Sequence, residues 1–330
     1  MALNRKAGAK TTQYNVPLIA RTTQSKPIVV GVSSCLLGQK VRFDGNHKHN
    51  KTVTEVLGKH WQYLPLCPEM AIGMGVPRRP IRLYGDESVP RAVGVSDQSV
   101  DVTDALVEYG RRRAQELTHI SGYIFKKGSP SCGMERVKVY KGANELLSTQ
   151  GVGLYARQIM KANPLLPVEE EGRLADETLR ENFVQRVYVY HAWQQLLQKD
   201  LTAQKLIAFH TQIKFTLLAH CERTYRQLGR LLAGLAKHRL QEIAEQYITT
   251  LMPALKKPST RARHCNVLMH MMGFLKRHIN HADKQELIEA IHYYKRGEVS
   301  LDVPLVLLRH HLRYTPSSYV ENQFYLQRVS

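Results

Sequence analysis

Three runs in this chain share one design, and that design constrains the fold more than any other feature. Trp61-Gln-Tyr-Leu-Pro-Leu-Cys67-Pro68-Glu69 is a short, aromatic-rich apolar run that closes on a thiol, a proline and a carboxylate. Pro27-Ile-Val-Val-Gly-Val-Ser-Ser-Cys35 is a β-branched run ending in a cysteine. Ile120-Ser-Gly-Tyr-Ile-Phe-Lys-Lys-Gly-Ser129-Pro130-Ser131-Cys132-Gly133 is the third. Runs of this length and composition, bounded by Pro and Gly, read as buried strands. If the three lie parallel in one sheet, all three thiols emerge at its carboxyl rim, where open α/β sheets bind ligands.

Cys35, Cys67 and Cys132 are 32 and 65 positions apart, and no C-x-x-C pair exists. Thioredoxin-like and zinc-ribbon readings therefore fail. Three unconnected core cysteines are the plain alternative, but core cysteines sit inside apolar runs, whereas these follow them and lie among Ser, Gly and Pro. Thiols converging from distant points suggest a metal site or an iron–sulfur cluster. A structural zinc wants a fourth protein ligand. A cubane held by three thiolates leaves one iron open as a Lewis acid. Glu69, two residues from a ligand, is placed for acid–base work, and Ser129 for a hydrogen bond to substrate or leaving group. The cysteine count of five is odd and forms no regular framework, which favours a reducing, cytoplasmic setting. Cys221 and Cys265 read as plain thiols in helical sequence.

Along the chain, residues 1–26 carry Arg5, Lys6, Lys10, Arg21 and Lys26 and no acid, the pattern of a basic flexible arm. The first strand, about 28–32, leads to Ser33-Ser34-Cys35 and then to the polar loop Arg42-Phe43-Asp44-Gly45. His47 and His49 lack partners at finger-like spacing and read as solvated. A short helix is expected over 52–59. Gly73, Gly75 and the pair Arg78-Arg79 follow Glu69; they suit phosphate and equally suit a solvated turn. A helix is expected over 101–119, an edge strand at Val137–Tyr140, and a helix over 151–162, with Pro164, Pro167 and the Glu169–Glu171 acidic run ending that segment. From 176 onward the apolar period becomes 3.6 residues, predicting helices near 176–198, 203–219, 222–236, 239–251, 262–279, 284–296 and 303–313. The fold class is thus an α/β N-terminal domain over 27–175, a small mostly parallel sheet with flanking helices, followed by an all-α domain over 176–330. The many histidines of the helical half do not repeat Glu-x-x-His and predict no second metal site.

The net charge is +19, and residues 201–330 hold 19 Lys and Arg against 9 Asp and Glu. Charge of this size points to a polyanionic partner, most often nucleic acid. Tyr293-Tyr294-Lys295-Arg296 and His310-His311-Leu-Arg313-Tyr314 interleave rings with cations, as RNA-stacking surfaces do and as solvated helix edges also do. No run approaches the roughly 18 apolar residues of a membrane span, and no obligate protein partner is evident.

Ser-Ser-Cys-Leu-x-Gly, Arg-Phe-Asp-Gly, Cys-Pro-Glu and Gly-Ser-Pro-Ser-Cys-Gly, in that order, closely resemble the thiouracil desulfidase family over about 27–175. Phe-His-x-x-x-Lys, Leu-Gly-Arg-Leu, Arg-His-x-Asn-Val-Leu-x-His and Pro-Leu-x-Leu-Leu-Arg-His resemble a helical domain found alone or fused to that desulfidase. The fused arrangement looks like the RudS-type desulfidases, which remove sulfur from 4-thiouridine in tRNA. The resemblance implies a [4Fe–4S] cluster on Cys35, Cys67 and Cys132, with Glu69 activating water and Ser129 as the second catalytic side chain. Ser34, Arg42, Asp44, Arg78, Arg79 and Lys127 are candidates for substrate or nucleic-acid contact. Phe43 departs from the tyrosine expected in many relatives. The expected activity is hydrolytic desulfuration of tRNA 4-thiouridine. Its rivals are the same chemistry on free thiouracil or thiouridine, and a non-enzymatic, cluster-bearing redox sensor on nucleic acid.

Overall fold

The three cysteine-terminated runs form neighbouring or near-neighbouring strands of one parallel sheet. In the computed structural model, which describes residues 27–142, 145–235, 239–275, 278–314 and 318–326, β1 (Val29–Ser33) pairs in parallel with β2 (Gln62–Leu66). The two-turn segment between them is one π turn over Thr52–Val56 and one 3-10 turn over Leu57–Lys59 rather than a regular helix. After β2 the chain enters the four-residue helix α1 (Pro68–Ala71). The basic arm expected over 1–26 lies outside the described residues.

Two short strands follow, β3 (Ile81–Tyr84) and β4 (Arg91–Gly94), then helix α2 (Thr103–Glu116). Asp101 opens α2 by accepting from the Thr103 amide at 2.9 Å. Strand β5 (Gly122–Phe125) adds in parallel to β1. Strands β6 (Val137–Lys141) and β7 (Glu145–Gly151) precede helix α3 (Leu154–Ala162) and strand β8 (Val168–Glu170). The first sheet runs β2-β1-β5-β8, with every pairing parallel. The second runs β4-β3-β6-β7 and is mixed.

Two expectations are corrected here. Val137–Tyr140 is no edge strand: β6 lies between β3 and β7. The other strands of that sheet are short and interrupted by polar residues, so periodicity did not reveal them. The Glu169–Glu171 run does not merely end a segment. Glu169 and Glu170 belong to β8 with side chains buried, which a carboxylate tolerates when cations and amides meet it. Glu169 is met by Arg173 at 2.6 Å and Arg186 at 3.6 Å.

Among the described residues, seven helices of two turns or more follow: α4 (Glu177–Gln198), α5 (Ala203–His220), α6 (Glu222–Ala233), α7 (Leu240–Lys256), α8 (Arg261–Met272), α9 (His281–Arg296) and α10 (Asp302–Tyr314). The α/β region followed by a helix-rich region is the expected class. Helix α4 serves both parts. Its Phe183, Val184, Val187 and Tyr188 pack on β1 residues and Trp61, while Val189 and Trp193 join the core of α5, α6 and α7. Helix α7 runs through Pro253 to Lys256 instead of ending at 251. Proline removes one helical hydrogen bond, but Leu255 beyond it is 1% exposed and the Asn182 amide donates to its carbonyl at 2.8 Å. Helix α8 stops at Met272, earlier than 279, because Gly273 takes its C-cap. Among the described residues no helix is long and apolar enough to cross a membrane.

Candidate active site

Parallel strands β1, β2 and β5 deliver their cysteines to one end of the sheet. Cys35 follows β1 in a 3-10 turn over Ser34–Leu37, and Cys67 caps α1 directly after β2. Cys132 lies on the loop after β5. That loop is tightly laid down: a Cβ on Gly133 would meet the Ser129 carbonyl at 2.8 Å, and one on Gly153 would meet the Ser131 carbonyl at 2.6 Å. Glycine at both positions lets the Ser-Pro-Ser-Cys loop lie against the start of α3. The three thiols line one cavity of about 200 Å³, together with Ser34, Arg42, Glu69, Arg78, Lys127 and Ser129. Of the expected contact residues, Asp44 and Arg79 lie outside it. Asp44 is exposed and 3.6 Å from Arg42; Arg79 is exposed and 3.8 Å from Asp97.

All five cysteines are free thiols. Burial pushes Cys35 up to about 11, against the Lys126 ammonium that pulls it down. Burial also raises Cys67, opposed by the backbone amide of Met70. Cys132 is driven far above the ordinary thiol range by burial, with Cys67 and Glu69 adding to the rise. Hydroxyls of Ser33 and Ser131 work the other way by donating to its sulfur. Two buried sulfurs and the half-buried Cys67, each met by a cation, an amide or a hydroxyl, form a donor set for a positively charged, thiophilic group that displaces their protons. Among the described residues, no three His, Cys, Asp or Glu side chains are gathered to hold a single metal ion. The cavity lining, among the described residues, holds three cysteines and no histidine or fourth cysteine, which suits a cluster held by three thiolates better than a closed zinc site that wants four protein ligands.

Beside the thiols stands a hydrogen-bonded carboxylate. Arg78 donates from Nε and Nη2 to Glu69 Oε2 at 2.9 and 2.6 Å. Its remaining donors reach the carbonyls of Val41 and Gly75 at 2.9 and 2.8 Å. The arginine expected to contact substrate thus holds the carboxylate. The other oxygen, Oε1, accepts from the Ser131 hydroxyl at 2.6 Å, and Ser131 is 2.9 Å from the Ser129 hydroxyl. Ser129 also accepts from the amides of Ser131 and Cys132 at 3.3 and 3.1 Å. A line of exchangeable protons runs Ser129, Ser131, Glu69.

Three residues of the site were not singled out from the sequence. Ser131 lies between two that were, and Ser-Pro-Ser, with two hydroxyls on one tight loop, was the available signal. Ser33 accepts from the Lys126 amide at 3.0 Å, which only strand adjacency reveals. Lys126 lines the cavity with its ammonium on Glu171, and Glu171 also accepts from the Lys127 amide at 2.7 Å. The Glu170 carboxylate, raised by burial, accepts from the Met134 amide at 2.9 Å. The acidic run therefore grips the cysteine loop and the pocket lysine together.

Residues 30–171 match the family model described as 2-thiouracil desulfurase, and residues 214–329 match a model described as a protein of unknown function, DUF1722. The chain belongs to the 2-thiouracil desulfurase family, joined to a DUF1722 region. It is similar to the uncharacterized protein YbgA of Escherichia coli, 31% identical over 143 residues, 43% of this chain and 85% of YbgA. It is also similar to the uncharacterized protein YbbK of Bacillus subtilis, 29% identical over 147 residues, 42% of this chain and 95% of YbbK. Among solved structures it matches the [4Fe-4S]-dependent thiouracil desulfidase TudS at 32% identity and a TM-score of 0.37, over 46% of this chain and 94% of that one.

Proposed function

We propose that this desulfurase-family chain converts 4-thiouridine in tRNA to uridine, by water attack on the thiocarbonyl carbon and release of hydrosulfide. The observation that carries the reading is the meeting of three thiols with the Ser129–Ser131–Glu69 line on one cavity. Cys35, Cys67 and Cys132 fit a [4Fe–4S] cluster, the group named for TudS. Such a cluster, when bound, supplies a thiophilic Lewis-acidic iron.

The side chains divide the remaining work. Glu69 takes a proton from the water whose oxygen forms the new bond to carbon. Arg78 holds Oε2, so Oε1 is the oxygen that faces Ser131 and does the proton transfer. Ser131 and Ser129 carry that proton to the sulfur. The carbon–sulfur bond breaks as the second proton passes from the new hydroxyl to Glu69, and sulfur departs as hydrosulfide. No electrons are exchanged. Lys126, beside Cys35, offsets negative charge at the sulfur end of the cavity.

In this reading residues 27–175 perform the chemistry and the basic helices of 176–330 hold the tRNA, mainly by phosphate and shape. A thionucleotide stacked in tRNA must turn outward, which costs a few kcal/mol and is offset by pocket and backbone contacts. Free thiols throughout suit a reducing cytoplasm. The family description favours a second reading, desulfuration of free thiouracil. Anaerobic incubation of reconstituted protein with thiolated tRNA and, separately, with free 2-thiouracil decides between them. Nucleoside analysis should show loss of 4-thiouridine from tRNA; turnover of the free base alone would overturn the tRNA reading.

A further inference from the structure

Helix α6 carries a surface that the catalytic reading leaves unexplained. Arg223, Arg226 and Arg230 recur at spacings of three and four, which puts them on one face, and all three are exposed. The opposite face buries Leu228 and Leu232 in the core shared with α5 and α7. The one carboxylate of α6, Glu222, pairs with Arg226 at 2.5 Å. Among the described residues no ion pair neutralises Arg223 or Arg230.

Gly229 sits in this helix three residues beyond Arg226 and one before Arg230. Glycine in a helix interior is disfavoured relative to alanine. Here neither packing nor backbone conformation calls for it: a Cβ at Gly229 would meet nothing within 4 Å. What a missing side chain does give is closer approach to the helix from outside. Beside the same face lies a cavity of about 500 Å³ lined by Phe215, Tyr225, Arg226, Arg263, Asn266 and His270. Arg226 and its partner Glu222 are shared with a second depression that Arg223 and Arg230 also line. A row of cations, a bare stretch of backbone and a cavity with aromatic walls are thus continuous.

We propose that this face of α6 is the seat of an RNA phosphodiester backbone, with Arg223, Arg226 and Arg230 as the phosphate row and Gly229 as the point of closest approach. The proposal rests on the tRNA reading and names the surface of the helical half that serves it. Successive arginines stand about 4.5 and 6 Å apart along the axis, within reach of consecutive phosphates, and guanidinium groups meet phosphate oxygens with two parallel donors. His270, exposed at the rim of the cavity, offers a ring to a base beside that row.

The experiment measures binding of fluorescently labelled, unmodified bulk tRNA across a salt series. It compares wild-type holoprotein with Arg223→Ala, Arg226→Ala, Arg230→Ala and Gly229→Leu. Each arginine change should weaken binding roughly three- to ten-fold and lower the salt slope by about one unit. Gly229→Leu should weaken binding comparably with no loss of charge. Iron content and turnover of free 2-thiouracil should stay at wild-type levels in all four; the melting temperature should hold in the arginine variants and rise slightly in Gly229→Leu, where a helix former replaces glycine in open space. A wild-type affinity that survives all four substitutions overturns the assignment of α6 and leaves the tRNA reading standing. A wild-type protein with no salt-dependent tRNA affinity overturns both.

Discussion

Arg78 closes on Glu69 with two donors to a single oxygen, and both side chains are largely shielded from water, at 6% and 14% exposure. Removing one partner of such a buried pair leaves an uncompensated charge, typically costing about 3 kcal/mol. Arg78→Ala should lower the denaturation midpoint accordingly. It should also depress turnover, because nothing then turns Oε1 toward Ser131. Arg78→Lys keeps the charge but not the fork, and should recover stability in part. Wild-type midpoint and turnover in Arg78→Ala would show that Glu69 is held by something else.

Ser131 bridges Glu69 and Ser129, so its hydroxyl should matter to proton movement more than to structure. Positioned acid–base groups contribute roughly 100- to 10,000-fold, and a relay member should lie at the lower end. Ser131→Ala is expected to reduce kcat about 100-fold with iron content unchanged. Ser129→Ala also removes the acceptor for the Ser131 and Cys132 amides, so it should lose both turnover and iron. An undiminished kcat in Ser131→Ala would mean that water reaches Glu69 directly.

The five thiols should separate cleanly. Cys35→Ala, Cys67→Ala and Cys132→Ala are each expected to abolish iron retention after anaerobic reconstitution, while Cys221→Ala and Cys265→Ala retain it. In the metal-free protein near neutral pH, a limiting alkylating reagent should label Cys221 first. Burial raises that thiol, but the Thr224 hydroxyl and the amides of Thr224 and Arg223 outweigh it and hold it below its usual value. Mass mapping that found Cys132 labelled ahead of Cys221 would contradict the burial of the site.

His220 links acid sensitivity to the packing of α5 against α4 and the end of α7. Its ring meets the Lys257 carbonyl at 2.7 Å and Gln185 at 3.0 Å. Burial lowers it to about 4; the Lys257 bond works against that, and the Arg186 and Arg263 charges add to it. With the folded value below the unfolded 6.5, the ring is neutral in both states above pH 6.5. As pH falls from 6.5 toward 4, the unfolded chain takes up the proton that the folded protein refuses. Stability should drop across that window by about 3 kcal/mol from this group. His220→Gln should flatten that part of the curve in denaturant titrations; an unchanged slope would assign the acid sensitivity elsewhere.

The local chemistry was legible because it is local. Runs ending in Cys35, Cys67 and Cys132 predicted strands, and a parallel sheet places strand ends on one rim, so the triad and Glu69 could be named in advance. The helical half was legible for the same reason: a 3.6-residue period survives without knowledge of neighbours, apart from the ends of α7 and α8, where burial of Leu255 and the cap at Gly273 decided.

What an arginine or a serine faces is another matter. Nothing in Arg78-Arg79 distinguishes the two, yet one is buried on Glu69 and the other is 71% exposed. Ser131 became a site residue only when the loop after β5 met Glu69 beyond β2, and Lys126 only when β5 and β8 lay side by side, bringing Glu171 to the lysine. The second sheet and the buried carboxylates of β8 were likewise decided in three dimensions. A hydrophobic period is written along one segment, whereas a polar side chain's partner is fixed by which distant segments pack against it.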